Sequence, residues 1–382
     1  MASRRGFEIA IICALPLEAH AVKALFEAQL TDEENVNCDY GSNSVANFSK
    51  SRGDQNAYTT GRISHHDVVL VHMPGIGEIP AAAVAADLRR SFEEIKLALV
   101  VGICGGVPGN VHGNPDESFR KLMLGDVVIG KQVIQYDFGR QYPEGFKRKN
   151  DLENSLSRQN PEIRSFVAKL ESKREELEQQ LWEYIRSTFK FKPNEGSSAA
   201  GPLHELRDEL MPPTYWHKHR NLDDCSDKKC QDDHGVCEEA RSASCEQLKC
   251  DTNQPFTLRR GKPKRKPDIH FGTIASGNTV MKSGEVRDQL VAKENQNVIA
   301  FDMEGAGIWD YLPCVIVKGV CDYADSHKNK IWQGYASMTA AACAKVVLEQ
   351  WPKKNPQQSL EDQASFHSYA PKTRILLFCA AE

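Results

Sequence analysis

An α/β domain built on a largely parallel sheet, covered by helices on both faces, is the fold class predicted by three features of this sequence. Continuous apolar runs of strand length recur along the chain, and helical patterns separate them. The alternation stops near Gln141 and resumes near Ile269, which reads as an insertion within one domain. The expected division is residues 1–140 and 268–352 for the α/β domain, 141–267 for the insertion and 353–382 for a polar tail.

Phe7 to Ala14 is a continuous apolar strand, and Pro16 to Phe26 carries helical spacing with Leu17, Ala21, Ala24 and Leu25 on one face. His66 to Met73 is a second strand, closed by Pro74-Gly75-Ile76-Gly77, and Pro80 to Phe92 is an alanine-rich helix. Leu97 to Ile103 is a fully apolar strand running into Cys104-Gly105-Gly106, and Leu124 to Ile134 is expected to supply a strand pair. Beyond the insertion come strands at His270–Ser276 and Val298–Glu304, the apolar run Cys314–Cys321 and a last helix from about Trp332 to Trp351. Ile375 to Phe378 is a short strand candidate in the tail.

The insertion opens with Asn160-Pro161, an N-cap followed by proline at the first helical position. The helix it starts is expected to reach about Phe189, with Ile163, Val167, Leu170, Leu177, Leu181 and Ile185 as one apolar stripe. Arg174 interrupts that seam, so a helix packed on the domain is expected rather than a coiled coil. A Gly/Ser/Ala linker at Gly196–Gly201 follows, then a stretch holding His217, His219, Cys225, Cys230, His234, Cys237, Cys245 and Cys250. Zinc usually takes Cys pairs two to four residues apart. Here the gaps between successive cysteines are four, six, seven and four residues, so zinc, local disulfides and free thiols all stay open. The basic run Arg259–Lys266 reads as a solvated loop, with a nuclear signal as its competitor.

Composition excludes several classes. With 48 basic and 52 acidic residues the formal net charge is −4, so nothing global draws the chain to nucleic acid or to an anionic membrane. No apolar run approaches the roughly 18 residues of a membrane span. The N-terminus faintly resembles a secretory signal, but Glu8 and Pro16 fit a buried first strand better. Cys13, Cys104, Cys314, Cys321 and Cys343 lie in apolar, core-like segments, which favours free thiols and a cytosolic chain.

Four short segments carry a resemblance. Ile9 to Glu18 looks like the first strand and turn of methylthioadenosine/S-adenosylhomocysteine nucleosidases, which place a catalytic glutamate where Glu18 stands. Val101-Gly102-Ile103-Cys104-Gly105-Gly106 resembles the glycine-rich segment of the nucleoside phosphorylase/nucleosidase superfamily. Phe301-Asp302-Met303-Glu304-Gly305-Ala306 is similar to its Met-Glu ribose-binding motif. Cys321-Asp322-Tyr323-Ala324-Asp325 resembles the segment holding the purine-side acid. All four occur in the family's order, over about Phe7–Gly139 and Ile269–Trp351. GNTVMKSGE and KGVCDYADSHKNK resemble fungal versions, often the N-terminal module of large NOD-like receptor proteins with nucleotide-binding and repeat domains.

The resemblance implies a three-layer αβα phosphorylase/hydrolase fold with a mixed central sheet, and cleavage of the N-glycosidic bond of a purine nucleoside or nucleotide. It makes Asp322 the general acid at the purine N7, Glu18 the base that activates water, and Glu304 the acceptor for ribose hydroxyls above Met303. Ser276, Gly277, Asn278, Ile103, Cys104, Gly105 and Val280 would line the pocket. Taken singly, Glu18 reads equally as a helix-start carboxylate and Asp322 as a cap. Asp302 is expected on the solvent side, and Lys318 and Lys328 among surface charges that a nucleotide phosphate would use.

The chain departs from the family's phosphorylases at the phosphate. Val100 and Ile103 stand where those enzymes place an arginine and a hydroxyl, and Ala14-Leu15-Pro16-Leu17-Glu18 replaces their glycine-rich phosphate loop. Water is therefore favoured over phosphate as nucleophile, with a phosphorylase as one alternative and a catalytically weak nucleoside-binding signalling module as another. No organic cofactor is expected. A small-molecule purine is the expected partner, with neither membrane nor nucleic acid, and family members generally form homo-oligomers.

Overall fold

The computed structural model describes residues 6–29, 50–109, 122–149, 156–189, 208–250, 258–259, 266–294, 297–328 and 330–352. Its strands in chain order are β1 (Ile9–Cys13), β2 (Ala28–Gln29), β3 (Ala57–Ile63), β4 (His66–His72), β5 (Leu97–Gly106), β6 (Val127–Gln135), β7 (Gly139–Tyr142), β8 (Gly145–Arg148), β9 (Glu209–Leu210), β10 (Leu258–Arg259), β11 (Ile269–Ser276), β12 (Val298–Asp302) and β13 (Cys314–Asp322). The helices are α1 (Pro16–Lys23), α2 (Glu78–Ser91), α3 (Pro161–Ser172), α4 (Arg174–Thr188), α5 (Glu238–Ser242), α6 (Gly284–Glu294), α7 (Gly305–Trp309) and α8 (Gln333–Gln350).

Nine strands form one mixed sheet in the order β12-β11-β6-β13-β5-β1-β4-β3-β2. The centre is parallel, β13-β5-β1-β4, and none of its strands is joined to another by a tight hairpin: α1 with β2 and β3 lies between β1 and β4, and α2 between β4 and β5. Antiparallel pairs enter at β3–β4, β6–β13 and β12–β5. Alternate residues of β1 face opposite layers: Ile9, Ile11 and Cys13 join the core beneath α1, α3, α4 and α8, while Ala10 and Ile12 join the core beneath α2 and α7. The architecture is three-layered, helix on sheet on helix, as expected from the motifs.

Several elements differ from the sequence reading. The helix expected to run unbroken to Phe189 is two, parted at Lys173, whose φ of −108° and ψ of 19° leave the helical region. The break lets α3 lie against β13 while α4 lies against α8 and β11. The apolar stripe from Ile163 to Ile185 is buried throughout, and Asn160 caps α3 by accepting a 2.8 Å bond from the Ile163 N–H. The segment Leu124–Ile134 gives one long strand, β6, rather than a pair. β5 runs through the glycine segment to Gly106, because β13 and β12 both pair with its end. The buried face of α1 comprises Glu18, Ala19, Ala21 and Val22, whereas Ala24 is exposed just past the helix end. The short strands β2 and β3, the β7–β8 hairpin and helices α6 and α7 carried too little periodicity to be read.

The five core cysteines named above are buried free thiols. Among the described residues no helix is long and apolar enough to cross a membrane. Most of the basic run Arg259–Lys266, the linker Gly196–Gly201, the strand candidate Ile375–Phe378 and the tail from 353 lie outside the described residues.

Candidate active site

The C-terminal ends of β1, β5, β11, β12 and β13 converge, and the turns beyond them carry the charged side chains. Open α/β sheets place ligands at such strand ends. Glu18 enters from the first turn of α1, where its Oε2 accepts the backbone N–H groups of Ala14 and Leu15 at 3.0 and 2.8 Å. The Leu15 bond is the glutamate half of a helix-capping arrangement, so Glu18 does serve as the helix-start carboxylate. Its other oxygen, Oε1, reaches across the sheet to the Ile103 N–H at 2.9 Å. Ile103 thus contributes its backbone, and a Cβ at the neighbouring Gly102 would collide with the Glu18 carboxylate. Burial pushes the Glu18 carboxyl above its usual range and Glu304 adds to this, against the pull of Lys318 and the backbone donors. A narrow cleft of about 230 Å³ opens beside this turn, walled by Ala14, Leu15, His20, Lys23 and His72.

Lys318 organises the next layer and corrects the sequence reading. It lies on β13 opposite Gly102, is 1% exposed, and places its Nζ 2.8 Å from Glu304 Oε2 and 3.6 Å from Asp302 Oδ2. Burial alone would pull this ammonium down, but Glu304, Asp302 and Glu18 more than offset it and hold it raised. Asp302, expected on the solvent side, is buried; its carboxylate accepts the Gly305 N–H and interacts with the Ser276 hydroxyl. β12 runs on to Asp302, which shares the buried parity of Val298 and Ala300, and the bend at Met303–Glu304 leaves Glu304 buried as well. Burial raises the Asp302 carboxyl against the pull of Lys318. A buried ammonium would have exposed the error only through its company: Lys318 is the sole charge in the apolar run Cys314–Cys321.

Asp322 ends the same strand. Its Oδ1 accepts the Ala324 N–H at 2.9 Å, and its Oδ2 faces the Cys321 thiol at 3.0 Å and Lys328 Nζ at 3.1 Å. Ala324 sits at φ 53°, a left-handed conformation that non-glycine residues rarely adopt and that aims its N–H at the carboxylate. A Cβ at Gly105 would stand 2.9 Å from Asp322 Oδ1, so this glycine makes room for the acid. Lys328, read as a surface charge, is mostly covered and paired. Gly102 and Gly105 mark the places of Glu18 and Asp322 about 10 Å apart along β5.

The remaining residues divide. Met303 is half-buried beside Glu304, and Cys104 is buried, its carbonyl facing the Cys321 thiol at 3.4 Å. Ser276 is fully buried and accepts the Ala306 N–H at 2.9 Å, so it braces the Asp302–Ala306 turn. Gly277 donates to the Asp302 carbonyl at 3.2 Å. Asn278 reaches the other way: its side chain accepts the Glu78 N–H at 3.0 Å and so caps α2, and donates to Glu78 Oε2 at 3.1 Å. Val280 is 41% exposed at the rim. Val100, where family phosphorylases place an arginine, lies in the core on the α2 side of the sheet.

Unread by sequence were Lys318 and the braces behind the Asp322 turn. Tyr323 donates to Asp208 Oδ1 at 2.7 Å, and the fully buried Arg287 donates to the Tyr323 carbonyl at 2.6 Å. Asp208 and Arg287 lie far from Tyr323 in sequence, so no local motif could signal them. A third acidic group, Asp126 with Asp268 and His270, sits at the start of β6 and β11; there Asp126 accepts the Met123 and Asp268 N–H groups and faces His270 at 2.9 Å, which makes it a structural clamp.

The family model described as the phosphorylase superfamily matches residues 8–187, and that match includes α3 and α4. A curated relative, a nucleotide-binding leucine-rich repeat (NLR)-like protein of Hyaloscypha variabilis, is 28% identical over 348 residues. That alignment takes in 90% of this chain, which spans 29% of the relative's length. Among solved structures, a methylthioadenosine/S-adenosylhomocysteine nucleosidase of Colwellia psychrerythraea in complex with adenine superposes with a TM-score of 0.51 at 16% identity, covering 92% of this chain and 98% of that one. An S-adenosylhomocysteine nucleosidase of Streptococcus pyogenes gives 0.49 at 18% identity, covering 91% and 98%. At such identities the likeness to the first structure is one of fold. The match takes in the first two of the four motifs, Ile9–Glu18 and Val101–Gly106, and the fold is that of the nucleosidase structure.

Proposed function

We propose that this chain is a phosphorylase-superfamily enzyme that hydrolyses the N-glycosidic bond of a purine nucleoside or nucleotide. The observation that carries the reading is three buried carboxylates, Glu18, Asp302 and Glu304, gathered around the buried ammonium of Lys318, with Asp322 further along the same strand. Glycosidic cleavage develops positive charge on the ribose ring. A buried group with more carboxylates than ammonium stabilises that charge far better than water does.

Glu18 is the base. Two backbone donors occupy Oε2 and one occupies Oε1, which leaves Oε1 a lone pair for a water. Burial raises its pKa, which makes it a stronger base than an ordinary glutamate. The water oxygen then bonds to C1′ as the C1′–N9 bond breaks, and that bond's electron pair departs with the purine. Asp322 donates a proton to the purine N7, and the carboxylate it becomes already faces Lys328. Glu304, held by Lys318, accepts the ribose hydroxyls over Met303. Neither Val100 nor Ile103 offers a side chain for phosphate, which favours water as the nucleophile.

Chromatography of the base released from adenosine, inosine, guanosine, methylthioadenosine and ATP, with and without inorganic phosphate, tests this. Release that needs no phosphate and vanishes in Asp322→Asn is the expected result. Release only with phosphate makes the chain a phosphorylase, and no release from any substrate, with binding retained, makes it a binding module.

A further inference from the structure

The segment 208–250 has little regular structure: the two-residue β9, two single-turn 3₁₀ helices at Leu222–Asp224 and Lys229–Gln231, and the five-residue α5. Its own core consists of Cys225, Cys230, Cys237, Ala240 and Leu248. So small an apolar cluster does not hold a loop-rich module closed, and comparable modules rely on disulfides or a metal.

The thiols are arranged in two groups. Cys225, Cys230 and Cys237 are all buried, and their sulfurs lie within 4.8 Å of one another. His217, Cys245 and Cys250 meet the same limit with one nitrogen and two sulfurs. A tetrahedral zinc with Zn–S bonds of about 2.3 Å asks for sulfurs about 3.8 Å apart, so each group closes on an ion with small movements. Each also contains a C-x4-C loop turned by a left-handed lysine, Lys228 at φ 56° and Lys249 at φ 55°. A disulfide is the weaker account of the first group, since pairing two of three converging sulfurs strands the third. In the second, the buried His217 leaves its Nε2 without a hydrogen-bond partner, which a disulfide does not relieve.

Backbone N–H groups face the sulfurs as they do around thiolate ligands. Ala240 N–H lies 3.3 Å from Cys237 Sγ, and those of Cys237 and His219 face Cys230. A histidine stands near each group: the buried His219, whose backbone N–H faces Cys230, and the half-buried His327, whose ring neighbours His217. His219 is 6% exposed, with Glu239 3.9 Å from its Nε2, beyond hydrogen-bond reach. The His327 ring lies 5.1 Å from that of His217, and its Nε2 is buried without a partner.

We propose that this segment binds two zinc ions, one on Cys225, Cys230 and Cys237 completed by His219, the other on His217, Cys245 and Cys250 completed by His327. The resulting Cys₃His and Cys₂His₂ sets are ordinary structural zinc ligations. The second site ties the module to the strand-end segment after β13, where the His217 N–H also meets the Ser326 hydroxyl at 3.2 Å.

Elemental analysis of the full chain, purified without chelator, is the test. Two zinc per chain are expected, falling to one in Cys230→Ser, to one in Cys245→Ser and to none in the double variant. His219→Ala and His327→Ala should each speed loss of one zinc to a chelator by at least about 10-fold. Cobalt exchanged into the unaltered protein should give tetrahedral thiolate-to-metal absorption, which keeps the test alive if the serine variants do not fold. Less than one zinc per chain even after zinc is added, or a Cys225–Cys230 or Cys245–Cys250 disulfide found by mass spectrometry, overturns the proposal. One zinc lost in only one serine variant overturns the other site.

Discussion

The carboxylate cluster at the strand ends and the Cys/His module at 208–250 are both built from buried polar side chains, yet they are held by opposite means. Glu18, Asp302, Glu304, Lys318 and Asp322 come from segments spread over the whole chain, and a nine-stranded sheet with helices on both faces fixes them. The module takes all but one of its proposed ligands from neighbouring loops, and its own core is five residues. A large core can carry the cost of buried charge, whereas a small loop-rich one needs a bond-like staple. Damage should therefore look different in the two regions: lost chemistry with the fold intact in the first, lost structure in the second.

The largest expected effect is on catalysis. Glu18→Gln and Asp322→Asn should each cut base release by about 10²–10⁴-fold, as removal of a general base or acid does, with far-UV circular dichroism unchanged. A variant that keeps its rate removes that residue from the mechanism. Next comes Lys318→Met, which leaves Asp302 and Glu304 buried without their counter-ion and should cost about 3–5 kcal/mol in denaturant unfolding. Stability within 1 kcal/mol of the parent would show that the pair is dispensable.

Gly102→Ala is a subtler intervention. Its methyl collides with the Glu18 carboxylate, and a shift of about 1 Å there should lower kcat by roughly 100-fold. Unchanged kcat would mean that Glu18 does not need its present position. The acid limb of the pH–rate profile should lie above the ordinary glutamate range, near 4.3. Burial raises the Glu18 carboxyl, Glu304 and Lys318 bias it in opposite directions, and the base works only when ionised, so the rate climbs as pH rises through that limb. A limb at or below the ordinary range argues against Glu18 as the base. The smallest effect is Asn160→Ala, expected to cost about 1 kcal/mol through the lost α3 cap and to leave base release unchanged.

Legibility followed the range of the interactions. The α3 cap and the buried thiols of β1, β5 and β13 are consequences of short-range pattern, and they were readable. Glu18 and Asp322 were readable by resemblance, because each lies in a turn whose backbone donors are its own near neighbours. Lys318 was misjudged because a lone lysine is far more often solvated than buried, and its partners are on another strand and the turn beyond it. The break at Lys173 was missed because apolar spacing is the same for one long helix and for two that share a stripe.

The sequence by itself determined the alternation of apolar strands and helices, the family resemblance, and the types of side chain available at the strand ends, since these depend on periodicity and on local motifs. Only the tertiary structure decided that Asp302 faces inward, that three carboxylates surround Lys318, and that six cysteine and histidine side chains gather in two groups of three. Those facts are set by which distant segments share a boundary and by how much apolar surface shields them from water, and neither quantity is a property of any short stretch of chain.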